Sequence, residues 1–229
     1  MVLKIQWPHR ESEHEAAALE LWDGDGAVRL LAHDEERHAL LLERCRPGTY
    51  LSDVDSDAGL GVLIGLLPRL WKPAGLPFQS LAAEAGWWAG YIREEWDDAG
   101  RPFEEDLVDA AVSALEELAP TQGEQVLIHQ DLHADNVLAA VREPWLVIDP
   151  KPLAGEREFG LPSIIRSVEL GHSKSAVVDR LDRLSSELGL DRERARGWAL
   201  GQTIAWSFGA ELQRTHVETA RWLLQAESC

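Results

Sequence analysis

The chain has 229 residues, of which 45% are hydrophobic and 27% charged, as in an ordinary soluble globular protein. Its formal net charge of −18 argues against a nucleic-acid partner, because such proteins present a basic face to the phosphates. No run of 18 apolar residues predicts a membrane helix, and the start of the chain lacks the pattern of a signal peptide. The two cysteines, Cys45 and Cys229, lie far apart, which indicates a reducing cytoplasm.

The first part of the chain predicts a small sheet with one helix. Short apolar segments indicate strands, a run of spaced apolar residues indicates a helix, and the DGDG turn at residues 23–26 ends that helix. The expected elements are a strand over 2–7, a helix over 11–22, and strands over 27–32 and 38–45. Residues 46–57 then form a linker by composition.

The remainder predicts a mainly helical region with a polar loop and a hairpin. Apolar residues at helical spacing predict helices over 59–71, 78–96 and 103–118. Short apolar runs then predict strands over 125–129, 136–141 and 145–149, the last two joined as a hairpin. From Leu161 onward the pattern is helical again, with breaks near Gly171 and Gly189.

The stretch VLIHQDLHADNVL, residues 126–138, places several polar residues between two apolar runs. One interpretation is a metal site, since histidine and carboxylate are zinc or iron ligands; its ligands would be His129, Asp131, His133 and Asp135. A second interpretation is structural, because Asp and Asn often cap turns and helices. A metallo-hydrolase loop and a capped turn therefore both remain alternatives for this stretch.

A third interpretation is a phosphoryl-transfer loop. That chemistry needs a carboxylate at the substrate hydroxyl and oxygen ligands for magnesium. The kinase pattern H-x-D-x-x-x-x-N, followed by a hairpin and a further Asp, is present as His129, Asp131, Asn136 and Asp149. The combination of the loop with an Asp that closes an apolar strand is much more specific than H-x-D alone.

With these motifs, the chain resembles the aminoglycoside phosphotransferase family, and in particular its branch of streptomycin kinases and hydroxyurea phosphotransferases. LIHQDLHADNVL, WLVIDPKPLAGEREFG, LKIQWPHRESEHEAAALELWDGDGAVRLL and ALLLERCRPGTYL carry the resemblance, which covers nearly the whole chain. It implies an α+β, protein-kinase-like fold of two lobes. The small β lobe would occupy residues 1–45, and a large helical lobe with the catalytic loop would occupy 46–229.

The resemblance also implies roles for the residues of the loop and hairpin. Asp131 would be the catalytic base that orients and deprotonates the substrate hydroxyl. Asn136 and Asp149 would hold Mg²⁺. His129 and His133 would be loop scaffold. The implied cofactors are ATP and Mg²⁺, and the implied substrate is a small molecule with a hydroxyl group.

For the nucleotide, the resemblance implies a lysine on the first strand and a glutamate in the following helix. Lys4 would hold the α- and β-phosphates and pair with Glu15. LLLERC would be the hinge between the lobes, where Leu42 forms part of the apolar wall. Glu43 and Cys45 would contribute there mainly through their backbone groups.

The chain departs from the family in two places. No glycine-rich segment precedes Lys4, so the small lobe is expected to be truncated at its N-terminus, with weak ATP binding at best. Either the coding sequence is incomplete, or the chain is a truncated relative of weak or no activity that serves as a binding module. As a further possibility, a second chain pairs with the exposed sheet edge in a homodimer. Many relatives also have Asp where Gly160 stands.

The substrate is only broadly defined by the sequence. Aminoglycosides are polycations, and acidic residues downstream of the loop, Glu156 and Glu158, are substrate-binding candidates. The net charge agrees with a cationic substrate, but it agrees equally with solubility. The expected activity is therefore transfer of the ATP γ-phosphoryl group to a hydroxyl of an aminoglycoside such as streptomycin, or of hydroxyurea.

Overall fold

A computed structural model of the chain describes residues 1–7 and 9–226, so Cys229 lies outside the described residues. The N-terminal part forms a three-stranded antiparallel sheet with one helix, as predicted. Its elements are β1 (Val2–Ile5), α1 (Glu15–Trp22), β2 (Leu30–Asp34) and β3 (Ala39–Leu42). The strand order is β1-β3-β2, and Lys4 of β1 stands opposite Leu40 of β3. We refer to these four elements as the N-terminal sheet unit.

Helix α1 begins four residues later than predicted, because residues 10–14 form turns that lead into it. It ends where the sequence indicates, since Asp23 adopts the left-handed conformation and its N–H caps the last turn. Trp22 is buried, and its indole N–H donates to the carbonyl of Leu70, 2.8 Å away. The helix is therefore fixed to the helical part of the chain as well as to the sheet.

The helical part contains the three predicted helices and four more near the C-terminus. These are α2 (Ser56–Leu70), α3 (Leu81–Asp98), α4 (Glu105–Leu118), α5 (Pro162–Ile165), α6 (Lys174–Leu188), α7 (Arg192–Ala205) and α8 (Arg214–Leu224). Side chains of Asp55, Ser80, Ser173 and Asp191 cap four of them. The break at Gly189 is confirmed, since this residue ends α6 in the left-handed conformation.

Helix α7 lies at the centre and packs against α3, α4, α5, α6 and α8. The contact with α4 is close because α7 has glycine at two positions that face α4. A Cβ atom added at Gly201 would lie 2.5 Å from Cδ2 of Leu115, and one added at Gly197 would lie 2.9 Å from Leu118. The two helices can approach at this distance only because both positions lack a side chain.

Two small sheets complete the fold and position the polar loop. The strands are β4 (Gln79–Ser80), β5 (Val126–Ile128), β6 (Val137–Ala139), β7 (Trp145–Val147) and β8 (Leu153–Gly155). The predicted hairpin is confirmed as β6–β7. Strand β8 was not predicted; it lies between β4 and β5 in the order β4-β8-β5. Within the part of the chain that the structure describes, no helix combines the length and apolar character needed to cross a membrane.

Candidate active site

The polar loop runs from the end of β5 to the start of β6, and His129 fixes its conformation. The Asp131 N–H donates to the carbonyl of His129 at 2.8 Å, and the Lys151 N–H donates to the same carbonyl at 3.0 Å. The buried imidazole donates from Nε2 to the carbonyl of Ile148 at 2.9 Å and stacks on Trp22. Burial lowers the pKa of His129 to about 4, so the ring is neutral and serves as a structural link between the loop and the end of β7.

Asp131 presents a mostly buried carboxylate that faces two cations. Lys151 Nζ lies 3.0 Å from Oδ2, and Arg166 lies 3.7 Å from Oδ1. Burial alone would raise the pKa of Asp131, but the charges of Lys151 and Arg166 outweigh that effect and lower it. The carboxylate is therefore ionised at neutral pH and can accept a hydrogen bond from a substrate hydroxyl.

Asn136 ends the short 3₁₀ turn Ala134–Asn136, and its side-chain orientation is fixed by two contacts. Its Nδ2 donates to the Asp131 carbonyl at 2.8 Å and lies 3.1 Å from Nε2 of His133. The Ile148 N–H donates to the Asn136 carbonyl at 2.9 Å, which joins the loop to the hairpin. Both contacts are made by Nδ2, which leaves the amide oxygen of Asn136 available as a ligand for a hard cation such as Mg²⁺.

Asp149, Lys4 and Glu15 form a second charged group on the same side of the loop. The Lys4 ammonium lies 2.6 Å from the buried Glu15 carboxylate and also contacts Oδ1 of Asp149. Burial would lower the pKa of Lys4, yet the charges of Glu15 and Asp149 raise it overall. The structure thus brings together the lysine, the glutamate and the hairpin aspartate that the sequence placed in one nucleotide site.

A cavity of about 970 Å³ lies against these residues. The residues that line it include Lys4, Asn136 and Asp149, the further charged residues Glu43, Arg44, Arg46 and Asp135, and Val28, Leu42, Cys45, Tyr50, Leu138 and Ile148. A cavity of this size that combines apolar side chains with polar groups is typical of a nucleotide or cofactor site. An amide oxygen and a carboxylate, those of Asn136 and Asp149, also suit Mg²⁺, which keeps several waters and takes few protein ligands.

The predicted hinge residue Glu43 has a side-chain role that the sequence did not indicate. Its carboxylate accepts from Arg142 Nε at 3.0 Å, and this arginine lies in the turn of the β6–β7 hairpin. Arg142 also donates to the carbonyls of Gly24, at 2.7 Å, and Ala27, at 2.9 Å. This Arg142 clamp joins the hairpin to the N-terminal sheet unit beside the cavity.

A second cavity, of about 400 Å³, lies near the Asp131 carboxylate. Lys151 and Trp206 line this cavity, and Lys151 contacts the carboxylate of Asp131 directly. Arg10 and Glu11 also line it, and Glu11 lies 3.7 Å from Lys151. Half of the lining residues of this aromatic pocket are aromatic: Trp87, Trp88, Tyr91, Trp206 and Phe208. Asp131 is therefore linked to both cavities: its carbonyl accepts from Asn136, which lines the larger one, and its carboxylate contacts Lys151, which lines the smaller one.

The four residues of the metal-cage alternative do not converge. Instead, among residues 1–7 and 9–226, the group of three metal-ligand side chains within 4.8 Å is His133, Asp135 and Glu169. Each of its members already has an internal partner. His133 Nδ1 lies 3.3 Å from Glu169, which also accepts from the Ala134 N–H at 3.0 Å, and Asp135 accepts from the Ser52 hydroxyl. These contacts support a scaffold role for His133.

The acidic substrate candidates occupy different surroundings. Glu156 is only 3% exposed, and its carboxylate accepts from Arg194 at 2.7 and 2.9 Å, from Trp198 at 2.5 Å and from the Gly123 N–H at 3.0 Å. Glu158 is half-buried and accepts from the Asp191 N–H at the start of α7, at 3.4 Å. Both carboxylates therefore bind parts of the helical framework, which leaves Glu156 in particular no face for a substrate.

Two functional candidates, Arg166 and Trp206, escaped the sequence reasoning. Arg166 follows α5 and is buried, with its guanidinium 4.4 Å from the ring centre of Trp206. Lys151 lies 4.6 Å from the same ring. Neither Arg166 nor Trp206 belongs to a local motif, and only the packing of α5 and α7 beside the loop brings them to Asp131.

Sequence comparison places the chain in a kinase family. Residues 1–210 match the family described as aminoglycoside/hydroxyurea antibiotic resistance kinase, and the chain belongs to that family. It is 41% identical over 209 residues to streptomycin 6-kinase of Streptomyces griseus, covering 88% of this chain and 68% of the relative. It is 44% identical over 212 residues to hydroxyurea phosphotransferase of Kitasatospora aureofaciens, covering 88% of this chain and 59% of the relative.

Solved structures share the fold at much lower identity. Choline kinase from Streptococcus pneumoniae is 16% identical with a TM-score of 0.67, over 98% of this chain and 84% of that chain. Spectinomycin phosphotransferase in complex with ADP and spectinomycin is 12% identical with a TM-score of 0.58, over 97% and 80%. These similarities confirm the predicted protein-kinase-like fold.

Proposed function

We propose that the chain transfers the γ-phosphoryl group of ATP to a hydroxyl of a small molecule. The observation that carries this proposal is that Asp131 contacts lining residues of two cavities, Asn136 of the larger and Lys151 of the smaller. The larger cavity is lined by Lys4, Asn136 and Asp149 among others. The smaller cavity is lined by Lys151, whose ammonium contacts the Asp131 carboxylate.

Each residue then has a defined task. Lys4, held by Glu15, binds the α- and β-phosphates, and the apolar wall with Leu42 binds the adenine beside the hinge backbone of Glu43 and Cys45. Asn136 and Asp149 would hold Mg²⁺, which, when bound, neutralises the phosphate oxygens. Asp131 orients the acceptor hydroxyl and takes its proton as the bond to phosphorus forms.

The acceptors to examine first are those in the names of the relatives, streptomycin as an aminoglycoside and hydroxyurea. The family description includes both classes. Because fold similarity does not define a substrate, the choice between them depends on the aromatic pocket. Glu156 and Glu158 are poor candidates for contact with either acceptor, because framework residues already bind their carboxylates.

The experiment is ATP turnover with each acceptor and Mg²⁺, for the wild type and Asp131→Asn. We expect a loss of about 10²–10⁴-fold in the variant, with ATP binding retained, because only the proton acceptor is removed. Asp98→Asn, an exposed position at the end of α3, is the matched control and should be unaffected. Equal rates in Asp131→Asn and wild type would exclude Asp131 as the base. Nucleotide binding without turnover on any acceptor would favour a binding module instead.

Three further predictions remain part of this proposal. The division into lobes at 1–45 and 46–229 and the cytoplasmic location both agree with an ATP-dependent enzyme.

The homodimer would form through β1, whose outer edge is unpaired within the described sheet and carries the exposed side chains of Leu3 and Ile5. Sedimentation of the purified chain tests it, and a monomer at all concentrations would exclude this dimer.

A further inference from the structure

The side chain of Asn136 is connected to a carboxylate outside the polar loop through the imidazole of His133. Asn136 Nδ2 donates to the carbonyl of Asp131 at 2.8 Å, and the same nitrogen lies 3.1 Å from Nε2 of His133. On the other side of the ring, His133 Nδ1 lies 3.3 Å from the carboxylate of Glu169, which follows α5. The side chains of Asn136, His133 and Glu169 are therefore connected in series.

The contacts of Asn136 determine which of its side-chain atoms faces His133. A carbonyl can only accept, so the atom bonded to the Asp131 carbonyl is the NH₂ group of the amide. This group donates and does not accept, so Nε2 of His133 accepts from it. An imidazole nitrogen that accepts a hydrogen bond carries no hydrogen of its own. In the neutral ring, the proton of His133 is therefore on Nδ1.

Glu169 is placed to keep this proton on Nδ1. Its Oε1 accepts from the Ala134 N–H at 3.0 Å, and the same oxygen lies 3.3 Å from His133 Nδ1. Burial would raise the pKa of Glu169, but hydrogen bonds from His133 and Ser167 lower it to about 2. The carboxylate is thus ionised at neutral pH. Because an ionised carboxylate can only accept, it favours the Nδ1–H form of the ring over the Nε2–H form.

A second carboxylate faces the same ring at a greater distance. Asp131 Oδ1 lies 3.8 Å from His133 Nε2, which is beyond the range of a hydrogen bond. The Asp131 carboxylate also pairs with Lys151 at 3.0 Å. The amide nitrogen of Asn136, at 3.1 Å, is therefore the nearer partner of Nε2.

We propose that His133 is a positioning residue for Mg²⁺: Glu169 keeps its proton on Nδ1, and its Nε2 then holds the NH₂ group of Asn136, so that the amide oxygen stays available to the metal. With the proton on Nε2, two donors would face each other. The amide would then turn its oxygen to His133, and that oxygen could no longer bind the metal. This inference rests on the proposed function, in which Asn136 and Asp149 hold Mg²⁺.

The first test determines the position of the proton without nucleotide or metal. ¹⁵N NMR of the histidine-labelled chain distinguishes Nδ1–H from Nε2–H rings, and the signals that disappear in His133→Gln identify His133. Although burial lowers the pKa of His133, its hydrogen bond with Glu169 raises it overall, so the spectrum is recorded at pH 9, where the ring is neutral. We expect the proton on Nδ1. His129 is the internal reference and should show Nε2–H, because its Nε2 donates to the Ile148 carbonyl. A proton on Nε2 of His133, or on both nitrogens, overturns the inference.

The second test shows whether the ring acts on metal binding in particular. Calorimetry measures ADP binding, with and without Mg²⁺, to wild type, His133→Gln and His133→Asn. The oxygen of glutamine lies as many bonds from Cβ as Nε2 does, so it can accept from Asn136, whereas asparagine reaches only as far as Nδ1. We expect His133→Asn to bind ADP about tenfold more weakly than wild type with Mg²⁺ and equally well without it. His133→Gln should bind ADP like wild type in both conditions.

The third test separates the acceptor role of Glu169 from its charge. Glu169→Gln and Glu169→Met both remove the negative charge, but only glutamine keeps an oxygen that can accept from His133 and from the Ala134 N–H. Glu169→Gln should therefore keep the Nδ1–H form of the ring and the wild-type affinity for ADP with Mg²⁺. Glu169→Met should lose both, with an affinity about tenfold lower.

Three results would overturn the inference while the kinase proposal stands: equal ADP affinities of His133→Asn and His133→Gln with Mg²⁺, a loss of the same size without Mg²⁺, or equal effects of the two Glu169 variants. Absence of ADP binding to the wild type contradicts the kinase proposal alone, and the NMR measurement then decides the inference. Circular dichroism shows whether each variant is folded. Should a variant fail to fold, the spectrum of the wild type still decides.

Discussion

The Lys151 ammonium lies 3.0 Å from the Asp131 carboxylate and 4.6 Å from the ring centre of Trp206. The proposed base therefore has its counter-charge within the protein before any substrate binds. A carboxylate with a lowered pKa is a weak base, which suits phosphoryl transfer, because its loose transition state needs an oriented hydroxyl more than an early proton transfer.

Trp206 should support activity by holding the two cations that contact its ring, Lys151 and Arg166, beside Asp131. We expect Trp206→Leu to lower kcat/KM by about tenfold, because Lys151 and Arg166 lose the aromatic surface that holds them beside Asp131. Trp206→Phe keeps a ring and should retain most of the activity. Steady-state kinetics of both variants provide the measurement, and equal losses in the two would show that the ring face is not what matters.

Lys4 should act mainly on the nucleotide. Lys4→Met removes the phosphate contact and leaves the Glu15 carboxylate buried without its cation, so we expect a higher KM for ATP together with a lower kcat. Glu15→Gln keeps the lysine charge but loosens its position, and its effect should be smaller. The acceptor KM serves as the internal control, and a change in that constant alone would contradict this assignment.

Glu156 should affect stability instead of substrate binding. Glu156→Gln weakens the contacts of a buried carboxylate with Arg194 and leaves that guanidinium without its counter-charge. We expect a loss of about 3 kcal/mol in the free energy of unfolding, as for a broken buried ion pair. The acceptor KM should remain unchanged. Urea unfolding and steady-state kinetics provide the two measurements. A raised acceptor KM in a stable variant would instead support Glu156 as a substrate-binding residue.

Two glycine-to-alanine changes should have opposite effects on stability, one at the contact between α4 and α7 and one on the exposed surface of α3. Gly201→Ala would place a methyl group 2.5 Å from Leu115 and should destabilise the fold by about 1–3 kcal/mol. Gly90 of α3 has no heavy atom within 4 Å of the equivalent position, so Gly90→Ala should stabilise by about 0.5–1 kcal/mol through helix propensity. Urea unfolding distinguishes the two, and similar shifts in both variants would be inconsistent with close packing.

The ion pair between Glu104 and Arg221 predicts a pH dependence of stability. The hydrogen bond from Arg221 lowers the pKa of Glu104 to about 2, below its ordinary value of 4.5. Because the folded-state pKa is lowered, this stabilisation is fully present above pH 4.5 and disappears as the pH falls towards 2. Glu104→Gln should therefore unfold at a lower temperature than wild type at pH 7. The corresponding loss in the free energy of unfolding should be less than about 1 kcal/mol, because the pair is exposed. The difference should vanish near pH 2.

The order of elements could be predicted from sequence because each depends on local patterns. The β6–β7 hairpin follows from two apolar runs around a Pro-containing turn, and the end of α1 follows from the DGDG turn. Strand β8 could not be predicted, since its three residues pair with β4 and β5, which are distant along the chain. Its Gly155 allows Leu81 to pack where a side chain would otherwise stand.

The residues proposed for the nucleotide are easier to identify from sequence than those of the aromatic pocket, for a related reason. Asp131 and Asn136 lie within one short motif, and Asp149 follows it after a hairpin, so spacing along the chain identifies them. The aromatic pocket combines side chains from the segment before α1, from α3 and from the end of α7. Trp206 reaches this pocket through tertiary packing, and no local pattern encodes that position.

The Arg142 clamp fixes the hairpin to the N-terminal sheet unit beside the larger cavity. This one side chain binds Glu43 after β3 and the carbonyls of Gly24 and Ala27, so the two parts are joined where Glu43 lines the cavity. Across the same cavity, Lys4 meets Asp149 through a single half-exposed ion pair. The clamp joins Arg142 to three residues and the ion pair joins Lys4 to one residue of the hairpin side, so loss of Arg142 would weaken the attachment of the hairpin to the sheet unit more than loss of Lys4 would.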